Sequence, residues 1–217
     1  MTDQTPKPRR GCFFYGCITG MVLLVMVVSA LLIGWHYAKE LVNSFTDTQP
    51  IELPTVPMSA AEIAALKQRC ATFQQEAREG RPTKPLALAA DDINALIASG
   101  KEWQALKGKF YIHLDGDRLT GEVSTPLQEV GLAMFRGRYL NGRATFDLAF
   151  RNGALVITPQ NILVKGKPLP EVYMQEIRKQ NLAAGLTKEP AAVAVLKGLQ
   201  NIQVKEGKLI IEPKAQP

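Results

Sequence analysis

The chain has 217 residues, a formal net charge of +6, 21% charged residues and 46% hydrophobic ones. That composition excludes a largely disordered chain, and the length suits one domain plus an anchor. Lys7, Arg9 and Arg10 against Asp3 leave only about +4 for everything after residue 38. That is too little for the basic stripe nucleic acid requires, so no nucleic-acid partner is expected.

Residues 1–16 read as a cytoplasmic tail and 17–38 as a transmembrane helix. No charged residue occurs from Gly11 to Ala38, taking His36 as neutral. Ten Ile, Leu or Val residues between Ile18 and Ile33 favour insertion by roughly 3–6 kcal/mol. Cys17 to Tyr37 makes about 32 Å of helix, which matches the hydrocarbon thickness. Phe13, Phe14 and Tyr15 at one end, with Trp35 and Tyr37 at the other, are the aromatics expected at two interfaces. Basic residues before the helix, against a cancelling Lys39-Glu40 after it, predict a cytoplasmic N-terminus and an extracytoplasmic domain in the cell envelope. The rival is a signal peptide cleaved near Val28-Ser29-Ala30, but the apolar run continues through Leu31, Leu32 and Ile33. A lipoprotein anchor at Cys17 lacks an upstream apolar region.

Gly16 and Gly20 make a G-x-x-x-G, and Ala30 and Gly34 repeat the spacing on nearly the same face. Such a small-residue stripe would let two helices pack as a homodimer, although glycine is also simply common in membrane helices. Cys12 and Cys17 are two thiols where zinc wants four ligands. Cys70 lies far beyond the helix, so no disulfide framework is expected and stability must come from packing.

Residues 39–58, with Pro50, Pro54 and Pro57, read as a stiff extended linker. The domain then runs over 59–217. Ser59-Ala60-Ala61-Glu62 is a capping box, and Ile63, Leu66, Cys70, Phe73 and Ala77 form one apolar helix face closed by Gly80 and Pro82. Cys70 is accordingly a packing residue rather than a nucleophile. Leu86 and Leu88 suggest a short strand. Asp91 and Asp92 open a short helix, where acids suit the positive end of the dipole better than acid–base catalysis.

From Lys109 the period becomes two. Phe110, Ile112 and Leu114 share a face and turn at Asp115-Gly116-Asp117 into Leu119, Gly121 and Val123. Ala144, Phe146, Leu148 and Phe150 make a second apolar face, opposite Thr145 and Asp147, and Asn152-Gly153 turns into Leu155 and Ile157. Ile162 to Val164 reads as a further segment after Pro159. Helices are predicted at Glu171–Leu186 and Pro190–Leu199, then a hairpin of Ile202 and Val204 with Leu209 and Ile211. The order gives an α+β class: a membrane helix, then helices packed on a curved antiparallel sheet. Asn161–Lys165 and Asn201–Lys205 look alike but are too short to be a repeat.

The membrane helix, the stretch Leu88-Ala89-Ala90-Asp91-Asp92-Ile93-Asn94-Ala95-Leu96, the glycine-turn strands, Gly166-Lys167-Pro168-Leu169-Pro170 and the C-terminal hairpin resemble the YpmS-like and LmeA-like membrane-anchored extracytoplasmic proteins. The resemblance covers roughly 86–213. It implies a tubular lipid-binding type of fold, with acyl-chain binding or a role in envelope assembly, and it supplies no catalytic residue.

No G-x-S-x-G, H-E-x-x-H or Walker A pattern is present, and His113 is the one histidine beyond the membrane boundary. Asp115 and Asp117 offer too few oxygens for calcium. The expectation is a non-enzymatic protein with no cofactor and no metal site. Its partners would be the bilayer and a lipid ligand. The proposed ligand face is Phe146, Leu148 and Phe150 where it meets the helix from Glu171, with Arg138 and Arg143 at a headgroup. Arg136 and Arg151 extend that basic cluster, whose ordinary reading is a solvated face. The alternative is a protein–protein scaffold with a filled core.

Overall fold

A computed structural model describes residues 12–101, 103–104, 106–130 and 133–214. The chain divides into two units, 1–44 and 45–217. Helix α1 (Cys12–Phe45) is long and apolar enough over Leu23–Phe45 to cross a membrane, with none of that segment buried. It continues through Lys39, Glu40 and Leu41, which are good helix formers, so the first part of the expected linker is helical. The basic tail at residues 7–10, and the surroundings of Gly16 and Gly20, lie outside the described residues. A Cβ at Gly34 would meet nothing within 4 Å.

In the second unit, α2 (Ala60–Glu79) carries both capping-box hydrogen bonds between Ser59 and Glu62 and ends on left-handed Gly80. Strand β1 (Leu86–Ala89) leads directly into α3 (Ala90–Ser99). The Asp92 carboxylate accepts from Ala89 N at 3.0 Å and from Arg69 at 3.2 Å, so the second aspartate serves as a cap. Strands β2 (Phe110–Asp115), β3 (Arg118–Pro126), β4 (Tyr139–Arg151), β5 (Ala154–Val164) and the two-residue β6 (Lys167–Pro168) form an antiparallel meander in sequence order. Helices α4 (Glu171–Ile177) and α5 (Pro190–Lys197) precede β7 (Leu199–Lys205) and β8 (Lys208–Pro213). The second sheet has the order β1-β8-β7.

The two apolar segments expected at Leu155–Ile157 and Ile162–Val164 are one strand. Register shifts between Thr145, opposite Asn161, and Phe146, opposite Pro159. Gln160 is the extra residue of this bulge, which admits a proline that has no N–H to give the ladder. Asn152-Gly153, Lys165-Gly166 and Glu206-Gly207 all have positive φ at both positions, the tight hairpin turn whose twist matches that of the strands.

The helix expected over Glu171–Leu186 is broken. It stops at Ile177, and only a 3-10 turn forms at Ala184–Lys188. Between them the Asn181 carboxamide accepts from Ile157 N at 3.0 Å and donates to Leu155 O at 3.0 Å, while Leu182 N donates to Ile157 O at 2.9 Å. This segment satisfies the free edge of β5, which a continuous helix would leave open.

The main core joins Leu66, Phe73 and Ala77 of α2 to Leu86, Leu88, Ala95, Leu196, Leu199 and Ile202. It therefore sits on the three-stranded sheet. Among the described residues, Leu148, Phe150 and Leu155 of the larger sheet pack against it. The hairpin tips of the two sheets are tied, Gly207 N donating to Gly116 O at 2.7 Å and Glu206 N to Asp117 at 3.2 Å.

Candidate functional site

Strand register sorts the larger sheet into two faces. One carries Phe110 beside Val123, Ile112 beside Gly121, Leu119 beside Phe146, and Leu148 beside Ile157. Phe110, Ile112, Leu119 and Phe146 are only half-buried. The absence of a side chain at Gly121 makes room for two rings. A Cβ there would lie 2.5 Å from the Phe110 ring and 2.9 Å from the Phe146 ring. Phe146 also borders a depression of about 420 Å³, open to solvent, with Asp115, Asp117 and Arg118 on its rim.

The predicted ligand residues are distributed differently. Phe146, Leu148 and Phe150 share the apolar face, but Leu148 and Phe150 are committed to the core while Phe146 stays near the open end. Arg143 lies on the opposite face, with its Nε 2.9 Å from Glu122. Glu122 is 15% exposed and also lies 3.6 Å from His113 Nε2. Arg138 is at the chain entry, where its Nε donates to the Thr46 hydroxyl and its Nη2 to the Thr46 carbonyl at 3.4 Å. The two arginines therefore do not converge on Phe146. Helix α4 packs along β5, and its Met174 is buried.

A polar clasp escaped the sequence reading. Asp47 exchanges backbone hydrogen bonds with Tyr139, at 2.8 and 2.7 Å. Asn141 donates to Asp47 at 3.0 Å and to Gln49 O at 2.8 Å, and accepts from Ser124 Oγ at 2.9 Å. Ile51 N reaches Ser124 Oγ at 3.2 Å, and Lys165 pairs with Asp47 at 3.1 Å. Residues 46–51 are thus docked on β3 and β4. Part of the presumed linker belongs to the domain. The signal in the sequence was a set of polar side chains in strands, which gives no partner by itself.

Chemistry at the remaining candidates is modest. Burial pushes the Cys70 thiol up, with Arg69 opposing and Asp92 adding, so it is poorly poised as a thiolate. Tyr111 is held above its usual value, first by burial and then by Asp91, which its hydroxyl meets at 3.5 Å. Among the described residues no group of three or more His, Cys, Asp or Glu is placed to hold a metal ion.

Fold and site together define a class: an α+β domain of two antiparallel sheets, following a helix apolar enough for a membrane, with a half-open apolar sheet face. No family model matches the sequence, and no curated protein or solved structure matches it.

Proposed function

We propose that this is a non-enzymatic, single-pass membrane-anchored envelope protein whose extracytoplasmic domain binds a lipid acyl chain or a similar apolar ligand. The carrying observation is the half-buried strip of Phe110, Ile112, Leu119 and Phe146, where two rings meet over Gly121. Apolar sites of this kind need few polar groups, and those belong at the mouth. Asp115, Asp117 and Arg118 supply such a rim. The charge asymmetry about the N-terminal helix supports a cytoplasmic N-terminus. The likeness to YpmS-like and LmeA-like proteins points the same way and belongs to this proposal.

The second reading is a protein–protein scaffold. The open rather than enclosed shape of the Phe146 depression favours it. Mass spectrometry of the gently purified domain separates the two. Lipid should accompany the native sequence and be reduced in a Phe110→Ser, Phe146→Ser double variant that remains folded. Absence of lipid, together with no uptake of a fluorescent fatty acid, would leave the scaffold reading.

A further inference from the structure

We propose that the surface formed by Arg136, Lys167, Val172 and Tyr173 docks on an anionic bilayer. This rests on the reading of α1 as a membrane anchor. No free spacer follows that helix. Phe45 ends it, Thr46 is already 4% exposed, and Asp47 is hydrogen-bonded to Tyr139. With Tyr37 at the interface, Phe45 lies about 12 Å further along a helix. Headgroups occupy roughly 5–7 Å on each side of the hydrocarbon, and their potential decays over about 8 Å at physiological salt. Chain continuity therefore keeps the entry end of the domain within the field of the headgroups, at a high effective concentration.

The side chains at that end suit such a surface. The Lys165–Asp47 pair places the β5–β6 turn beside the clasp. Lys167 follows two residues later, and Leu169 N returns to Ile162 O at 2.9 Å before α4 begins. Arg136 precedes Arg138, which holds Thr46. Of the acids near that end, Asp47 is paired with Lys165 and Glu171 with Arg178, while Glu52 is exposed without an ion pair among the described residues. Arg136 and Lys167 are exposed and form no ion pair among the described residues. On α4, Met174 turns into the fold at 2% exposure, while Val172 and Tyr173 face solvent at 68% and 48%. Two basic residues on segments tied to the clasp, with an aliphatic and an aromatic side chain exposed on the helix that follows Lys167, are the combination that partitions into a headgroup layer.

The test uses the full chain with Cys12→Ser, Cys17→Ser and Cys70→Ala, spin-labelled at Val172→Cys or, as a control, at exposed Lys205→Cys on the β7–β8 hairpin. The protein is placed in nanodiscs of phosphatidylcholine, alone or mixed with phosphatidylglycerol. In the anionic discs the label at 172 should be more accessible to oxygen and several-fold less accessible to a water-soluble nickel chelate than the label at 205. Each basic residue strengthens surface binding roughly fivefold, so Arg136→Glu with Lys167→Glu should abolish the difference. Equal accessibility at 172 and 205, or protection that ignores lipid charge, overturns the proposal. Failure of the chain to enter nanodiscs would instead overturn the anchor reading beneath it.

Discussion

The Asn94 carboxamide closes a two-hydrogen-bond ring with the backbone of Ile112, donating to its carbonyl at 2.7 Å and accepting from its N–H at 2.8 Å. β2 is an edge strand, and Asn94, 3% exposed, supplies a substitute for a neighbouring strand. Asn181 does the same for β5 from the other side. Two side chains from outside the sheet thus satisfy one stretch each of the β2 and β5 edges.

Asn94→Leu should therefore destabilise the domain by about 1–3 kcal/mol for each orphaned backbone group, read by chemical denaturation. Asn94→Asp keeps the acceptor but sets a carboxylate against the Ile112 carbonyl. Its folded-state pKa should be raised, so its stability should improve as pH falls and the acid regains a donor. A pH-independent loss for Asn94→Asp would refute this account.

Gly198 and Gly121 should respond unequally to alanine. A Cβ at Gly198 would lie 2.1 Å from the Ala77 carbonyl oxygen, a backbone atom where α5 crosses α2. At Gly121 the obstacles are the Phe110 and Phe146 rings, which can turn away. Overpacking of this sort costs about 1–3 kcal/mol and occasionally more, with Gly198→Ala at the upper end. Thermal unfolding of both variants gives the order.

The Ser59–Glu62 box predicts an acid-side signature. Hydrogen bonds from the Ser59 backbone and hydroxyl hold the Glu62 carboxyl below its usual 4.5. Its contribution is fully present above that value and is lost as pH falls through the lower folded-state pKa. Ser59→Ala should cost about 1 kcal/mol through the lost cap and reduce that part of the pH–stability profile only partly, because the bond from the Ser59 backbone N–H to Glu62 remains. An unchanged acid limb would contradict the assignment.

Phe73→Ala and Phe146→Ala should also differ. Phe73 is 5% exposed in the main core, so its truncation falls in the range of about 3–5 kcal/mol. Phe146 is half-buried and borders an open depression, so its loss should cost less while reducing uptake of a fluorescent acyl probe. Equal destabilisation would mean that Phe146 is a core residue and would remove it from the ligand face.

The clasp makes the start of the domain measurable. A chain beginning at Phe45 should unfold at a higher temperature than one beginning at Thr55, which lacks the strap that satisfies Asn141 and Ser124. Arg138→Ala should lower stability in the longer chain and change little in the shorter one. Identical melting of the two lengths would show the strap to be dispensable.

The sequence determined everything set by short-range chemistry. The apolar run placed an N-terminal helix, although that helix runs on to Phe45, the Ser59–Glu62 spacing set the start of α2, and glycine turns set the β2–β3, β4–β5 and β7–β8 hairpins. Alternation placed Phe146, Leu148 and Phe150 on one face. It did not decide which part of that face would be covered, because coverage depends on where α2 and the second sheet land. Helical periodicity overran Ile177 because the stronger claim on Asn181 was an open strand edge 24 residues away. Arg138 and Arg143 look like one cluster in the sequence, yet their partners, Thr46 and Glu122, lie 92 and 21 residues away and draw them to different places. Local propensity is additive along the chain, whereas the satisfaction of buried polar groups is decided only when distant segments meet.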